Sequence, residues 1–205
     1  MTEPGPLAST RGTVRPRVHG GTSDTEIAIF DAAERLLAET PLHDLSVAQI
    51  IAAAGTSRAT FYFYFSSKFA VLSGLLARVM DEIFEVVQPF VERKENVAPD
   101  KALRDSLSAA VALWASHRPA MRAIHEHWNT TDELRALWIN VVQRFKEAVA
   151  AEIDRERASG LAHTGADSHQ IAAALLWGTE RCLYIAGLGI DPNLPDEQRT
   201  LEPLM

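Results

Sequence analysis

Cysteine is nearly absent from this chain. Cys182 is the single one in 205 residues, which excludes an internal disulfide framework and fits a reducing compartment. Its apolar neighbours Leu183 and Ile185 make it a small buried residue rather than a reactive thiol. Long hydrophobic runs are missing too: no stretch reaches the roughly 20 apolar residues of a membrane span, and the N-terminus has no uninterrupted apolar core of a signal peptide. The expectation is a cytoplasmic protein without a membrane partner. Strand pairing is also missing, because the aromatic run at 61–65 is short and has no second strand to pair with. Cations are outnumbered, 20 Lys and Arg against 27 Asp and Glu for a net charge of −7, which at first sight argues against nucleic acid.

Catalytic and metal chemistry is equally thin. Of seven histidines, His125 and His127 stand two apart on a helix and point to different faces, so one ion cannot easily take both. No Glu or Asp stands three residues before any His, as a di-iron bundle requires. A phosphate-cradling glycine loop, a nucleophile elbow and a Cys pair are missing as well. No cofactor, metal ligand or catalytic residue is expected. The alternative class, a helical-bundle enzyme or carrier of apolar molecules that retains a DNA-binding head, rests only on a possible cavity.

What is present is concentrated between Ser46 and Lys68. Ser46 is placed as an N-cap, and Val47, Ile50 and Ile51 give a short helix one apolar face. Ala52, Ala53 and Ala54 are small enough for a second helix to approach, and Gly55 permits the positive φ of a sharp exit. Ser57 caps the next helix, in which Phe61 and Phe65 share an inward face. That leaves Arg58, Thr60, Tyr62, Phe63 and Tyr64 largely outside: a forked donor, a hydroxyl and two phenols on a helix suited to a major groove. No acid occurs from Leu45 to Lys68, so this segment is locally positive although the chain is not. Few cations are available to displace counterions, so salt steering should be modest.

The segment AGTSRATFYFYFSSKFAVL resembles the DNA-binding signature of the tetracycline-repressor (TetR) family, Gly-x-Ser-x-x-Thr-x-Tyr-x-Tyr-Phe-x-x-Lys, at Gly55, Ser57, Thr60, Tyr62, Tyr64, Phe65 and Lys68. Within that family it is most similar to the ethionamide-resistance-regulator (EthR) branch, where the FYFYF run also occurs. The likeness is strong from about 25 to 79 and traceable to about 184. It implies an all-α protein: a helix-turn-helix head on a larger helical bundle that binds ligand and dimerises. The expected organisation is a basic tail at 1–22, a DNA-binding domain at 23–68 and a ligand-binding and dimerisation domain at 69–205. The tail, with Arg11, Arg15 and Arg17 against Glu3, is either a disordered solvated leader or an arm that follows DNA.

In the head, a first helix from the Ser23–Thr25 cluster to about Glu39 should turn Ile27, Phe30, Ala33, Leu36 and Leu37 inward. A long helix from Ser67 to about Arg93 carries Val71, Leu72, Leu75, Leu76, Val79, Ile83, Phe84 and Val87 on one face and links head to body. Lys68, in its first turn, is ill placed for the helix dipole, so a phosphate is expected there. DNA contacts are assigned to Ser46, Thr56, Ser57, Arg58, Thr60, Tyr62, Phe63, Tyr64 and Lys68, with Arg58 and Phe63 meeting bases.

Beyond Pro99 only helices are expected, near 100–117, 119–128, 131–159 and 168–188, with a last short one from Asp196 interrupted at Pro203. Since regulators of this family usually finish with a longer helix, an incomplete C-terminus is expected. Trp114, Trp138, Phe145 and Trp177 fall on three helices and are hard to pack without gaps. The resemblance implies an apolar effector tunnel there, lined by Leu107, Ala110, Trp114, Trp138, Val142, Phe145, Leu176, Thr179 and Glu180. Leu176 and Thr179 stand where the EthR branch has polar amides, leaving Thr179 and Glu180 as polar handles; Glu180, beside Arg181, is alternatively a satisfied structural charge. The expected function is a ligand-responsive transcriptional regulator, a repressor released from a palindromic double-stranded DNA operator by a small hydrophobic effector. A homodimer through 168–188, including Ile171, Leu175, Leu183 and Ile185, and the C-terminal stretch completes the expectation.

Overall fold

The computed structural model describes residues 23–93, 97–163 and 165–201. The tail at 1–22 and Pro203 lie outside the described residues. Among the described residues the secondary structure is all helical: α1 (Asp24–Glu39), α2 (Val47–Ala53), α3 (Arg58–Tyr64), α4 (Lys68–Val91), α5 (Pro99–Ser116), α6 (Arg118–His127), α7 (Asp132–Ala158), α8 (Ser168–Leu188) and α9 (Glu197–Leu201).

Local chemistry sets the ends of these helices. Ser23 and Glu26 form a capping box at α1, and Ser46 with Gln49 repeats it at α2. Ser57, Ser67, Thr131 and Asp167 cap α3, α4, α7 and α8 through their side-chain oxygens. The α2–α3 turn closes through Gly55 at φ +62°, and α8 ends at Gly189 at φ +64°.

α1, α2 and α3 pack as a head around Phe30, Leu37, Leu45, Ile50 and Phe61, all buried. The inward face of α1 holds the expected Phe30, Ala33 and Leu37, with Leu36 partly buried against the same core; Ile29 joins it, and Ile27, 38% exposed, does not. Ala52 and Ala53 face solvent, so they are not the helix-approach surface; Ala54, partly buried, is the one packed against the core. α4 continues from the head into the body, packing on α1 at one end and on α5, α6 and α7 along its length. Where α1 and α4 cross, Gly74 lies against the Phe30 ring, which meets Phe65 edge-on at 5.3 Å.

α7 and α8 form the far layer, and α9 folds back on α5 and α8. α8 corrects the expectation about apolar runs, being long and apolar enough to cross a membrane by length and composition alone. It nevertheless carries Glu180 and Arg181 in mid-helix. Little of it is buried; Leu175 and Trp177 face outward, 53% and 39% exposed.

Candidate DNA interface and effector core

The candidate recognition surface lies on α3. Phe61 and Phe65 are buried. With those two rings pointing in, helical periodicity turns Arg58, Tyr62 and Phe63 out, and all three are exposed. The Arg58 guanidinium lies 5.3 Å from the centroid of the Tyr62 ring, and Phe63 meets Tyr64 edge-on at 5.0 Å. Thr56, Thr60 and Tyr64 are half-buried. Ser57 Oγ accepts from the Thr60 amide at 3.0 Å and is 2.7 Å from the Thr60 hydroxyl. Ser46, exposed at the start of α2, engages Gln49 through both its amide and its hydroxyl. Arg35 of α1 reaches the Ala53 carbonyl at 3.4 Å, tying α1 to the end of α2.

Lys68 is placed differently from expectation. Its ammonium donates to the carbonyls of Leu42 at 2.6 Å, His43 at 3.1 Å and Leu45 at 2.9 Å. An ammonium has three protons, and the turn between α1 and α2 takes all of them. The cation near the start of α4 is therefore balanced by carbonyls from a preceding turn, with no phosphate required. Lys68 is a fastener inside the head.

The body holds a polar centre that the sequence did not reveal. His125 of α6 is buried among Trp114 (5.2 Å between ring centroids), Trp138 (5.2 Å) and Tyr184, on which it stacks at 4.9 Å. Its Nδ1 donates to the Met121 carbonyl at 2.7 Å, one turn back, and its Nε2 meets the Glu180 carboxylate. Glu180 is thus partnered by His125 across the bundle. The only sequence signal was a histidine next to an apolar helical face (Ala120, Met121, Ala123 and Ile124 are buried). Its partner lies on another helix, and α6 alone gives no hint of it.

Around this centre the expected lining is packed. Trp114 and Trp138 are buried, while Leu107, Ala110, Val142 and Phe145 are partly buried against the same core. Leu176 and Thr179 are half-buried. Phe145 pairs edge-on with Phe84 at 5.3 Å, and Trp177 points outward, so the four rings do not converge on one gap. A cavity of about 10 Å³ touches Trp114, Tyr184, Arg118 and Glu197, too small for a ligand. A depression of about 430 Å³, open to solvent, is lined by Arg181, Cys182, Ile185, Ile190, Asp191, Pro192 and Leu194 at the outer end of α8. Cys182 is accordingly half-buried there, instead of enclosed as expected. Leu183 is buried within its own chain, whereas Ile171 and Ile185 are half-buried.

Further ionic ties join the helices of the body to one another and to the head. Arg118 at the start of α6 clamps Glu197 of α9 bidentately, with both bonds at 2.6 Å. Arg93 joins Glu152 at 3.1 Å and also Glu156, fixing the end of α4 to α7. At the α5–α6 junction, His117 Nδ1 donates to Glu34 of α1 at 2.8 Å, and its Nε2 lies 3.4 Å from Glu82 of α4. The hydrogen bond to Glu34 is the largest influence on His117 and raises its pKa above the ordinary 6.5. Among the described residues no group of three or more His, Cys, Asp or Glu is disposed to hold a metal.

Comparison with known proteins places this geometry in a family. Residues 29–75 match the model of bacterial regulatory proteins, tetR family, and residues 103–205 match the model of the transcriptional regulator EthR, C-terminal domain. The HTH-type transcriptional regulator EthR of Mycobacterium tuberculosis (strain ATCC 25618 / H37Rv) is 36% identical over 199 residues, covering 97% of this chain and 90% of that protein. EthR of Mycolicibacterium smegmatis is 31% identical over 203 residues, covering 99% and 89%. Among solved structures, the transcriptional regulator FadR from Bacillus subtilis in complex with stearoyl-CoA superposes with a TM-score of 0.70 at 21% identity, covering 87% of this chain and 96% of that one. That likeness bears on the fold.

Proposed function

The chain belongs to the TetR family and is an EthR-like, ligand-responsive DNA-binding transcriptional regulator, and from that premise we propose how its parts divide the work. It is a repressor that two-fold symmetry places on a palindromic operator and that a small hydrophobic effector releases. The division falls at 23–68 for DNA and 69–205 for ligand and partner. The observation that carries this is α3, whose Phe61 is buried, with Phe65 buried at its C-cap, while Arg58, Tyr62 and Phe63 stand exposed on a helix packed against α2.

Arg58 and Phe63 read base edges, with the Arg58 fork on a guanine. Ser46, Thr56, Ser57, Thr60, Tyr62 and Tyr64 position the phosphate backbone through hydroxyls and helix N-termini. One head reads too few base pairs for useful specificity, so a dimer presents two, about 34–36 Å or a multiple of that apart. The outward Leu175 and Trp177 of α8 support a partner copy there.

The effector enters the core around Trp114, Trp138, Leu107, Ala110, Val142, Phe145, Leu176 and Thr179, and the His125–Glu180 pair offers it both a donor and an acceptor. Because this core is packed, binding selects a conformation in which the rings have parted, and it acts only through a difference in affinity between the two states. Releasing DNA a hundredfold takes about 2.7 kcal/mol of that difference. The test has two arms. Selection from a randomised duplex pool should enrich a palindrome, and a hydrophobic compound that raises the melting temperature should weaken binding to the selected duplex. A ligand that stabilises the fold yet leaves that binding untouched would defeat the effector assignment; failure to enrich any duplex would defeat the assignment of α3.

A further inference from the structure

The contact between head and body is held by a compact ionic cluster with a histidine at its centre. α1 contributes Asp31 and Glu34, α4 contributes Arg78 and Glu82, and the α5–α6 junction contributes His117. Arg78 bridges Asp31 at 3.0 Å and Glu82 at 3.2 Å, while His117 bridges Glu34 at 2.8 Å and Glu82 at 3.4 Å. The ring is mostly buried, as is the Glu34 carboxylate, at 14% and 18% exposure. The neighbouring cations of α6 are engaged elsewhere, Arg118 by Glu197 of α9 and Arg122 by the Leu37 carbonyl at 2.9 Å. Asp196 adds a further negative charge on the side of Arg118.

A protonated imidazole donates from both nitrogens and serves a carboxylate on α1 and another on α4 at once. A neutral one has a single N–H. If it keeps the bond to Glu34, its bare Nε2 lone pair faces Glu82, and Arg78 alone is left against three carboxylates. We propose that His117 is a proton-operated latch that fixes the DNA-reading head against the body, so that operator affinity falls as pH rises through its titration. Two heads must meet two half-sites at one spacing, and a latched head is preorganised for that, whereas a loose one must be ordered on binding. This rests on α3 being the element that reads DNA.

The sign follows from linkage. His117 is raised above 6.5 in the folded chain, so the latch is fully made below that value and is lost as pH rises through the folded pKa. The window lies above the ordinary histidine value of 6.5.

The experiment measures the affinity of the wild type, His117→Gln and Glu34→Gln for the selected duplex from about pH 6 to about pH 8.5, at fixed ionic strength. The wild type should weaken by about threefold or more across that range, and both variants should be flat, near the weaker limit. A variant that keeps the wild-type slope, or a wild type that binds tighter as pH rises, overturns the latch. Amide exchange of α1 at about pH 6 gives a reading independent of DNA: both variants should lose α1 protection relative to the wild type, whereas unchanged protection overturns the proposal. If His117→Gln fails to fold, Glu34→Gln, which keeps the ring and removes only the carboxylate charge on α1, carries both measurements. Failure to enrich any duplex counts against the assignment of α3 and leaves the exchange measurement to decide the latch.

Discussion

Arg58 and Lys68 carry the same charge ten positions apart and are put to opposite uses. Arg58 is exposed, with its guanidinium over the face of Tyr62. Arg58→Ala should weaken binding to the selected duplex by about 1–3 kcal/mol and relax preference at one base pair per half-site, while leaving the melting temperature near that of the wild type; repeating the selection with the variant checks both. Lys68 faces inward to three carbonyls. Lys68→Met keeps the stem and removes the donors, so it should destabilise the fold by about 1.5–3 kcal/mol, the scale of hydrogen bonds to a charged group. Its salt dependence of DNA binding should match the wild type, since no phosphate contact is lost; a slope reduced by about one would restore Lys68 to the backbone contacts. Thermal unfolding together with a salt titration separates the two roles.

Between elements, the crossing of α1 and α4 fixes how the head meets the body. Gly74 is required there by space, because a Cβ at that position would come within 2.6 Å of two atoms of the Phe30 ring. Phe30 is itself buried and set edge-on to Phe65. Gly74→Ala should therefore cost about 1–3 kcal/mol through forced displacement of that ring, measured as a lowered denaturant midpoint with an unchanged slope. A neutral result would mean that the two helices part easily at this point, and the rigid link from α3 to the body would be lost with it. The His117 cluster acts on the same joint about one to two turns along α4, by charge where Gly74 acts by shape.

For the whole molecule, the proposed dimer rests on α8. A 21-residue helix with Leu175 and Trp177 outward is a poor surface for a lone chain in water. Leu175→Glu places a charge in the centre of the proposed two-fold contact, where burial without a partner is costly. It should convert the proposed dimer to a monomer at micromolar concentration in sedimentation and weaken duplex binding by well over tenfold, because two linked heads become two separate ones. A dimer that survives the substitution would move the interface off α8.

The sequence by itself determined the all-helical architecture, the caps of most helices, the turn at Gly55 and the division of α3 into buried and exposed faces. Each of these depends on residues within one or two turns of one another, where spacing alone fixes which side chains meet. Tertiary structure decided the rest. Lys68 finds its carbonyls up to 26 positions back, and His117 finds Glu34 83 positions back. His125 meets Glu180 from a different helix, and the rotation of α8 sends Trp177 out while Trp138 of α7 goes in. A charge or an aromatic ring in a sequence states what it can bond. Which partner it receives depends on how rigid helices settle against one another, and that is fixed by the summed packing of all their faces.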